Sequence, residues 1–174
     1  MQHGASAVDW WVLYSGPNST SDGGWGDLGL LSSGTCPVDQ PGKTGCEPPT
    51  GTSFAPYQTM RLLTTVLKGG GQLLATTTTG GGTGGTGGTD STSGTGSTVS
   101  AHAIRRADGT LAVVLLNEDP QQAQTIHLTV PCGYQAVRTL SWQPGDTAVS
   151  SHAGPAPTTF APYSATVILL RRAG

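Results

Sequence analysis

Charge is scarce in this sequence. Only 10% of its 174 residues are charged, and the formal net charge is -2. Nucleic acid and anionic membrane surfaces both require clustered Lys and Arg, so neither is an expected partner. Arg105-Arg106 and Arg171-Arg172 are only pairs, each read as a strand end facing water. No run of about 18 apolar residues occurs, which excludes a helical membrane span from the expectation. Met1-Gln-His-Gly4 is polar and leads directly into a strand-like segment, so no signal peptide is read there. An exported protein would carry its signal on a longer precursor. Glutamate is nearly absent too: Glu47 and Glu118 are the two present. No Gly-x-Ser-x-Gly elbow accompanies the serines and His3, His102, His127 and His152, so a Ser-His-Asp triad has no support. Metal ligands lack sensible spacing, and no cofactor is implied.

Cysteine is scarce, with three in the chain. Cys36 and Cys46 bracket a Pro/Gly loop. A disulfide closing it would stabilise by roughly 3 kcal/mol in the chain-entropy treatment. A metal site is the rival reading, and it needs more ligands than two thiols. Cys132, in Val130-Pro-Cys-Gly-Tyr134, is read as a buried small hydrophobe rather than a nucleophile.

What the chain does have is glycine, threonine and serine, with 27 glycines. This composition suits a secreted, loop-rich β protein. Residues 7–14, Ala-Val-Asp-Trp-Trp-Val-Leu-Tyr, read as one buried strand, followed by an irregular loop to residue 54. Residues 55–68 read as a helix: Pro56 suits its first turn, and Met60, Leu63 and Leu67 recur on one face beside Val66. Gly69-Gly-Gly71 stops it. The remainder is β. Segments 72–79, 99–104, 111–116, 124–130, 136–142 and 165–170 have strand character. Asp108-Gly109 marks a hairpin. Ile126, Leu128 and Val130 alternate with Thr125, His127 and Thr129, as a half-buried strand requires. The expected fold is therefore mostly β, an antiparallel β-sandwich. The tract 80–97 is nearly all Gly, Thr and Ser, either a linker or an enlarged loop within the sandwich, with strand-like sequence on both sides favouring the loop.

The order of these segments resembles a known family. A strand with Asp9-Trp10-Trp11 precedes Gly26-Asp-Leu-Gly-Leu-Leu-Ser-Ser33 and Phe54-Ala-Pro-Tyr-Gln-Thr-Met-Arg-Leu-Leu63. Then come Val99-Ser-Ala-His-Ala103, Asp108-Gly-Thr-Leu-Ala-Val-Val-Leu-Leu-Asn-Glu-Asp119 and Phe160-Ala-Pro-Tyr-Ser-Ala-Thr-Val167. Together they are similar to the C-terminal region of retaining (β/α)8-barrel glycoside hydrolases of the arabinofuranosidase and endoglucanase type. The resemblance covers nearly the whole chain and is more specific for architecture than for substrate. It implies that residues 1–71 are a barrel-derived strand, long loop and helix, and that 72–174 are the β-sandwich. The family's acid and nucleophile carboxylates, about 5–5.5 Å apart, come from earlier barrel strands that this sequence does not contain. Neither can be placed here.

The candidate site residues follow. Asp9 sits on an apolar strand, so a buried, paired role is expected, and a catalytic one is the alternative. Glu47 and Glu118 are read as solvated loop carboxylates, with Glu47 a weak catalytic candidate. Asp27 is expected to order its own loop. Trp10 and Trp11 point to opposite faces of their strand. Either both are packing residues, or one joins Tyr14 or Trp25 in a sugar-stacking platform. Trp142 is expected in the sandwich core. His102 and His127 are placed on a solvent face, where neighbouring strands would let them share a metal.

Three functions are carried forward. The first is an accessory sandwich of a plant-polysaccharide-degrading enzyme, secreted, binding a polysaccharide or oligosaccharide. The second is a small glycoside hydrolase using Asp9, Asp27, Glu47 or Glu118. The third is a purely structural domain. A lone barrel strand and helix would expose apolar faces. The chain is therefore expected to self-associate, to meet a missing catalytic barrel, or to fold residues 1–68 back so that the helix covers one sandwich face.

Overall fold

A computed structural model of the protein describes residues 13–14, 29–36, 47–67, 69–78 and 98–173. Most of the expected first strand, including Asp9, Trp10 and Trp11, lies outside the described residues, as do Trp25, Asp27, Cys46 and the tract 80–97. The chain divides into two compact units, His3–Met60 and Arg61–Gly174, apart from Met1 and Gln2.

The larger unit is built on strands β1 (Gly71–Leu74), β2 (Val99–Arg106), β3 (Leu111–Asn117), β4 (Gln124–Thr125), β5 (Tyr134–Trp142), β6 (Ser150–Ala153), β7 (Thr159–Phe160) and β8 (Ala165–Arg172). Six form one sheet in the order β1-β2-β3-β8-β5-β6, and β4 pairs with β7. Every pairing is antiparallel. The protein is a mostly β, antiparallel sandwich preceded by one helix, α1 (Ala55–Leu67).

The sequence of β3 explains its place. Leu-Ala-Val-Val-Leu has no polar alternation, and a strand buried on both faces needs none. Leu111, Val113 and Leu115 enter one core with Phe160, Ile168 and Leu170. Ala112 and Val114 enter the other with Ile104, Leu140, Trp142, Ala165 and Val167. That second core is closed by Leu62 and Val66 of α1, with Leu67 beside them. The expected helix face is thus corrected. Leu62 and Val66, four residues apart, are its buried line, whereas Leu63 is 40% exposed.

The first core is covered by the segment 126–130. Ile126, Leu128 and Val130 pack on it, while Thr125, His127 and Thr129 are exposed. The expected alternation is present, but the strand is shorter than 124–130. Its ladder ends where Ile126 N–H meets Thr158 O at 2.8 Å. The partner β7 is limited by Pro155, Pro157 and Pro162, which have no N–H to donate. The expected 72–79 strand also ends early, at Leu74. β1 and β2, the strands on either side of the Gly/Thr tract, pair directly, with Gly71 opposite Arg106 and Leu74 opposite Ala103.

The Asp-Gly hairpin has a three-residue loop. Arg106 N–H donates to Thr110 O at 2.9 Å, and Gly109 N–H closes the turn onto Arg106 O at 3.0 Å. Gly109 takes a φ of 80°, the left-handed position of a bulged turn that glycine occupies without strain. Asp108 accepts from Thr110 N–H at 3.0 Å. These bonds, first from the Thr110 hydroxyl and then from its amide, hold the Asp108 carboxyl below the usual aspartate range, with Arg106 and Arg171 adding to the effect.

Helix α1 starts where sequence expects. Phe54 O accepts from Tyr57 and Gln58 N–H, and Pro56 falls where its missing N–H has no partner to lose. The helix ends as Gly70 N–H returns to Leu67 O at 2.9 Å.

Candidate functional site

The smaller unit brings three short segments together. Leu30 and Leu31 N–H both reach Leu13 O, at 3.1 and 2.9 Å. Tyr14 makes a parallel bridge to Leu31, which makes an antiparallel bridge to Ser53. The backbone under Tyr14 is therefore fixed from one side, while Leu13 and Tyr14 are 51% and 43% exposed.

Directly after Leu31 the chain turns inward. Ser32 is fully buried, and Glu47 is 8% exposed. Glu47 is therefore not the solvated loop carboxylate that its Pro/Gly surroundings suggest. Its Oε2 accepts from Ser33 N–H at 2.6 Å, Ser33 Oγ at 2.7 Å and Ser32 Oγ at 3.0 Å. Ser32 Oγ also lies 2.5 Å from Pro48 O and accepts from Gly34 N–H at 3.1 Å. Thr50 Oγ1 donates to Ser33 O at 2.8 Å, and Glu47 N–H donates to Thr35 O at 3.0 Å. Burial pushes the Glu47 carboxyl up, but the Ser33 hydroxyl and amide, the Ser32 hydroxyl and the Gly34 amide outweigh it and hold it below the ordinary glutamate value. Glu47 is an ionised anchor for the 32–35 turn.

The other sequence candidates are dispersed. Glu118 is exposed after β3 and accepts from Ser100 Oγ at 3.2 Å. Trp142 is buried in the helix-side core, its indole N–H donating to Asp146 O at 3.1 Å. His102 does not share a solvent face with His127. Its strand position places it on the sheet face of Ile104 and Val114, whereas His127 is exposed on the outer side of the covering segment. Among the described residues no group of three or more His, Cys, Asp or Glu is placed to hold a metal. Cys132 is also corrected. It is exposed and free rather than buried, because Pro131 to Tyr134 forms a turn. No helix among the described residues is long and apolar enough to cross a membrane.

One network was missed by sequence reasoning. Asn117, 3% exposed, ends β3. Its amide nitrogen donates to Gln122 O at 2.9 Å, Phe160 O at 3.2 Å and Ala161 O at 2.9 Å. Its oxygen accepts from Asp119 N–H at 3.1 Å. Tyr163, in the loop so tied, is 56% exposed with a φ of 49°. Bulky residues rarely adopt that conformation. Tyr163 N–H is held by Asp119 O at 2.9 Å. The signal in the sequence was an Asn closing an apolar strand, and it reads as an ordinary turn residue.

No protein-family description matches the chain, and no curated protein sequence does. Among solved structures, the chain is similar to the catalytic domain of GH30 xylanase C from Talaromyces cellulolyticus, with a TM-score of 0.49 and 16% identity. The match covers 83% of this chain and 27% of that one, so the chain spans about a quarter of that structure's length.

Proposed function

We propose that the chain is a carbohydrate-associated accessory region of a secreted, plant-polysaccharide-degrading glycoside hydrolase, and that it binds or positions a glycan. In this reading residues up to α1 derive from a (β/α)8 barrel, and the rest is the sandwich that accompanies it. The observation that carries it is Tyr14, an aromatic ring 43% exposed on a backbone fixed by its bridge to Leu31. Stacking on a sugar needs a ring that is both open and already ordered, because ordering it on binding would cost affinity. One of Trp10 and Trp11, with Trp25, is proposed to extend that platform. A Cys36–Cys46 disulfide belongs to the same proposal, supported by the short Pro/Gly loop between the two and by a free, exposed Cys132.

The hydrolytic alternative has less support. A glycosidase acid requires a carboxyl whose pKa is raised, and that of Glu47 is lowered. The deciding experiment is depletion binding to plant polysaccharides, wild type beside Tyr14→Ala, Trp10→Ala, Trp11→Ala and Trp25→Ala. Binding that Tyr14→Ala weakens with the circular dichroism spectrum intact is the expected result. No retention on any polysaccharide would leave a structural domain. Release of reducing sugar, lost in Glu47→Gln, would establish the hydrolase instead.

A further inference from the structure

One end of the sandwich breaks the rule that a covered sheet face is apolar. Along the face that carries Leu111, Val113, Leu115, Ile168 and Leu170, the residues near the β5–β8 end are Thr139, Ser141 and Thr166. Thr139 and Thr166 are only 4% and 3% exposed. Thr139 lies opposite Ile168 on one side and His152 on the other, and Ser141 lies opposite Thr166. Thr139, Ser141, His152 and Thr166 line a cleft of about 250 Å³, with Phe160 beside them.

The Thr139 hydroxyl is buried and has no hydrogen-bond partner among the described residues. An unpaired buried hydroxyl lowers stability. Valine would fill the same space without that penalty, so the hydroxyl calls for a partner that a ligand can supply. Among the described residues, the lining of the cleft contains no Asp, Glu, Lys or Arg, which disfavours a charged ligand. Hydroxyls and an imidazole beside an aromatic residue suit a neutral, polyhydroxylated ring. The volume falls below the roughly 300–1,000 Å³ of sites for drug-sized ligands, so it suits one ring rather than a chain.

We propose that this cleft binds a single neutral sugar residue, with Thr139, Ser141, Thr166 and His152 as its polar contacts. The sugar class rests on the carbohydrate-associated reading above, but the site does not depend on Tyr14.

The test is a chemical-shift titration of the full-length chain with methyl β-D-xylopyranoside and methyl β-D-glucopyranoside, with sodium acetate as a charged control. The expected result is saturable shifts at the amides of Thr139, Ser141, His152 and Thr166 with one or both glycosides and none with acetate. Thr139→Val should bind about tenfold more weakly, the loss of about one hydrogen bond, while its melting temperature stays level or rises. His152→Ala, at an exposed position, should also weaken binding and serves if Thr139→Val does not fold. Tyr14→Ala should leave these shifts unchanged. Absence of saturable shifts at these amides, or wild-type affinity in the cleft variants, would overturn the proposal. Shifts around Tyr14 alone would overturn it while upholding the accessory reading, and shifts in the cleft alone would do the reverse for the Tyr14 platform.

Discussion

Replacing Asn117 with alanine should destabilise the sandwich more than any other single polar change at its surface turns. The side chain makes four hydrogen bonds to backbone groups: three from its nitrogen to the carbonyls of Gln122, Phe160 and Ala161, and one to its oxygen from Asp119 N–H. At about 0.5–1.5 kcal/mol net for each, the set is worth about 2–6 kcal/mol. Gln122 is exposed, so water can replace part of that loss. Phe160 is 4% exposed and admits less water. A value near 3 kcal/mol is therefore expected. In urea, with a slope of about 2 kcal/mol/M, this moves the midpoint down by about 1.5 M with the slope unchanged. The chemistry is checked by Asn117→Asp, which keeps the acceptor but turns a second oxygen toward three carbonyls. That variant should be no more stable than alanine at neutral pH and should recover stability as the new carboxyl protonates. A loss below about 1 kcal/mol for Asn117→Ala, against the range expected for four bonds, would refute the view that these bonds hold the loop.

Glu47 has a folded pKa below its ordinary value. Its contribution is therefore present above that ordinary value and is lost as pH falls through the lowered one. Amide exchange at Ser33 and Gly34 should accelerate as pH drops below the usual glutamate range, relative to intrinsic rates, and Glu47→Gln should abolish that dependence. Gly34 has a φ of 74°, and a methyl group there would strike the Thr50 hydroxyl and come 2.8 Å from Thr50 N. Gly34→Ala should then open the 32–50 segment to protease, whereas Gly109→Ala, with nothing within 4 Å, should cost only the left-handed penalty of about 1–2 kcal/mol. Leu62→Ala should cost about 2–5 kcal/mol in denaturant melts, and Leu63→Ala, 40% exposed, should cost less than about 1 kcal/mol.

The parts of the fold legible in sequence are those with long, clean patterns. β3 and β8 are apolar runs bounded by turn signals, and both appear within two residues of expectation at each end. The helix was legible in extent and partly in facing: Val66 and Leu67 do meet the core, but Leu62 was overlooked and Leu63 is exposed. Met60, Leu63 and Leu67 satisfy helical spacing as well as Leu62 and Val66 do, and only the partner sheet selects between the two lines. β6 and β7 were missed because Ser-Ser-His-Ala and Thr-Phe carry neither length nor alternation. The Glu47 anchor was illegible for a different reason. Its donors lie 14 and 15 positions away in the chain, and no local pattern links a serine pair to a carboxylate across a Pro/Gly loop. The Thr139 cleft could have been suspected from Thr and Ser at core positions of β5, but threonine is also a good strand former and so draws no attention.

The strand order has a consequence for biogenesis. β8 is inserted between β3 and β5, so it is the seam that joins the β1-β2-β3 meander to the β5-β6 hairpin. Until β8 has left the ribosome, β3 and β5 each present an open edge along which no later strand has yet paired. Such edges recruit other chains. A ribosome that stalls anywhere between β6 and β8 thus releases two adhesive half-sheets rather than a slightly shortened sandwich. The apolar Ala165–Leu170 segment, made after both strands it joins, is what closes those two edges.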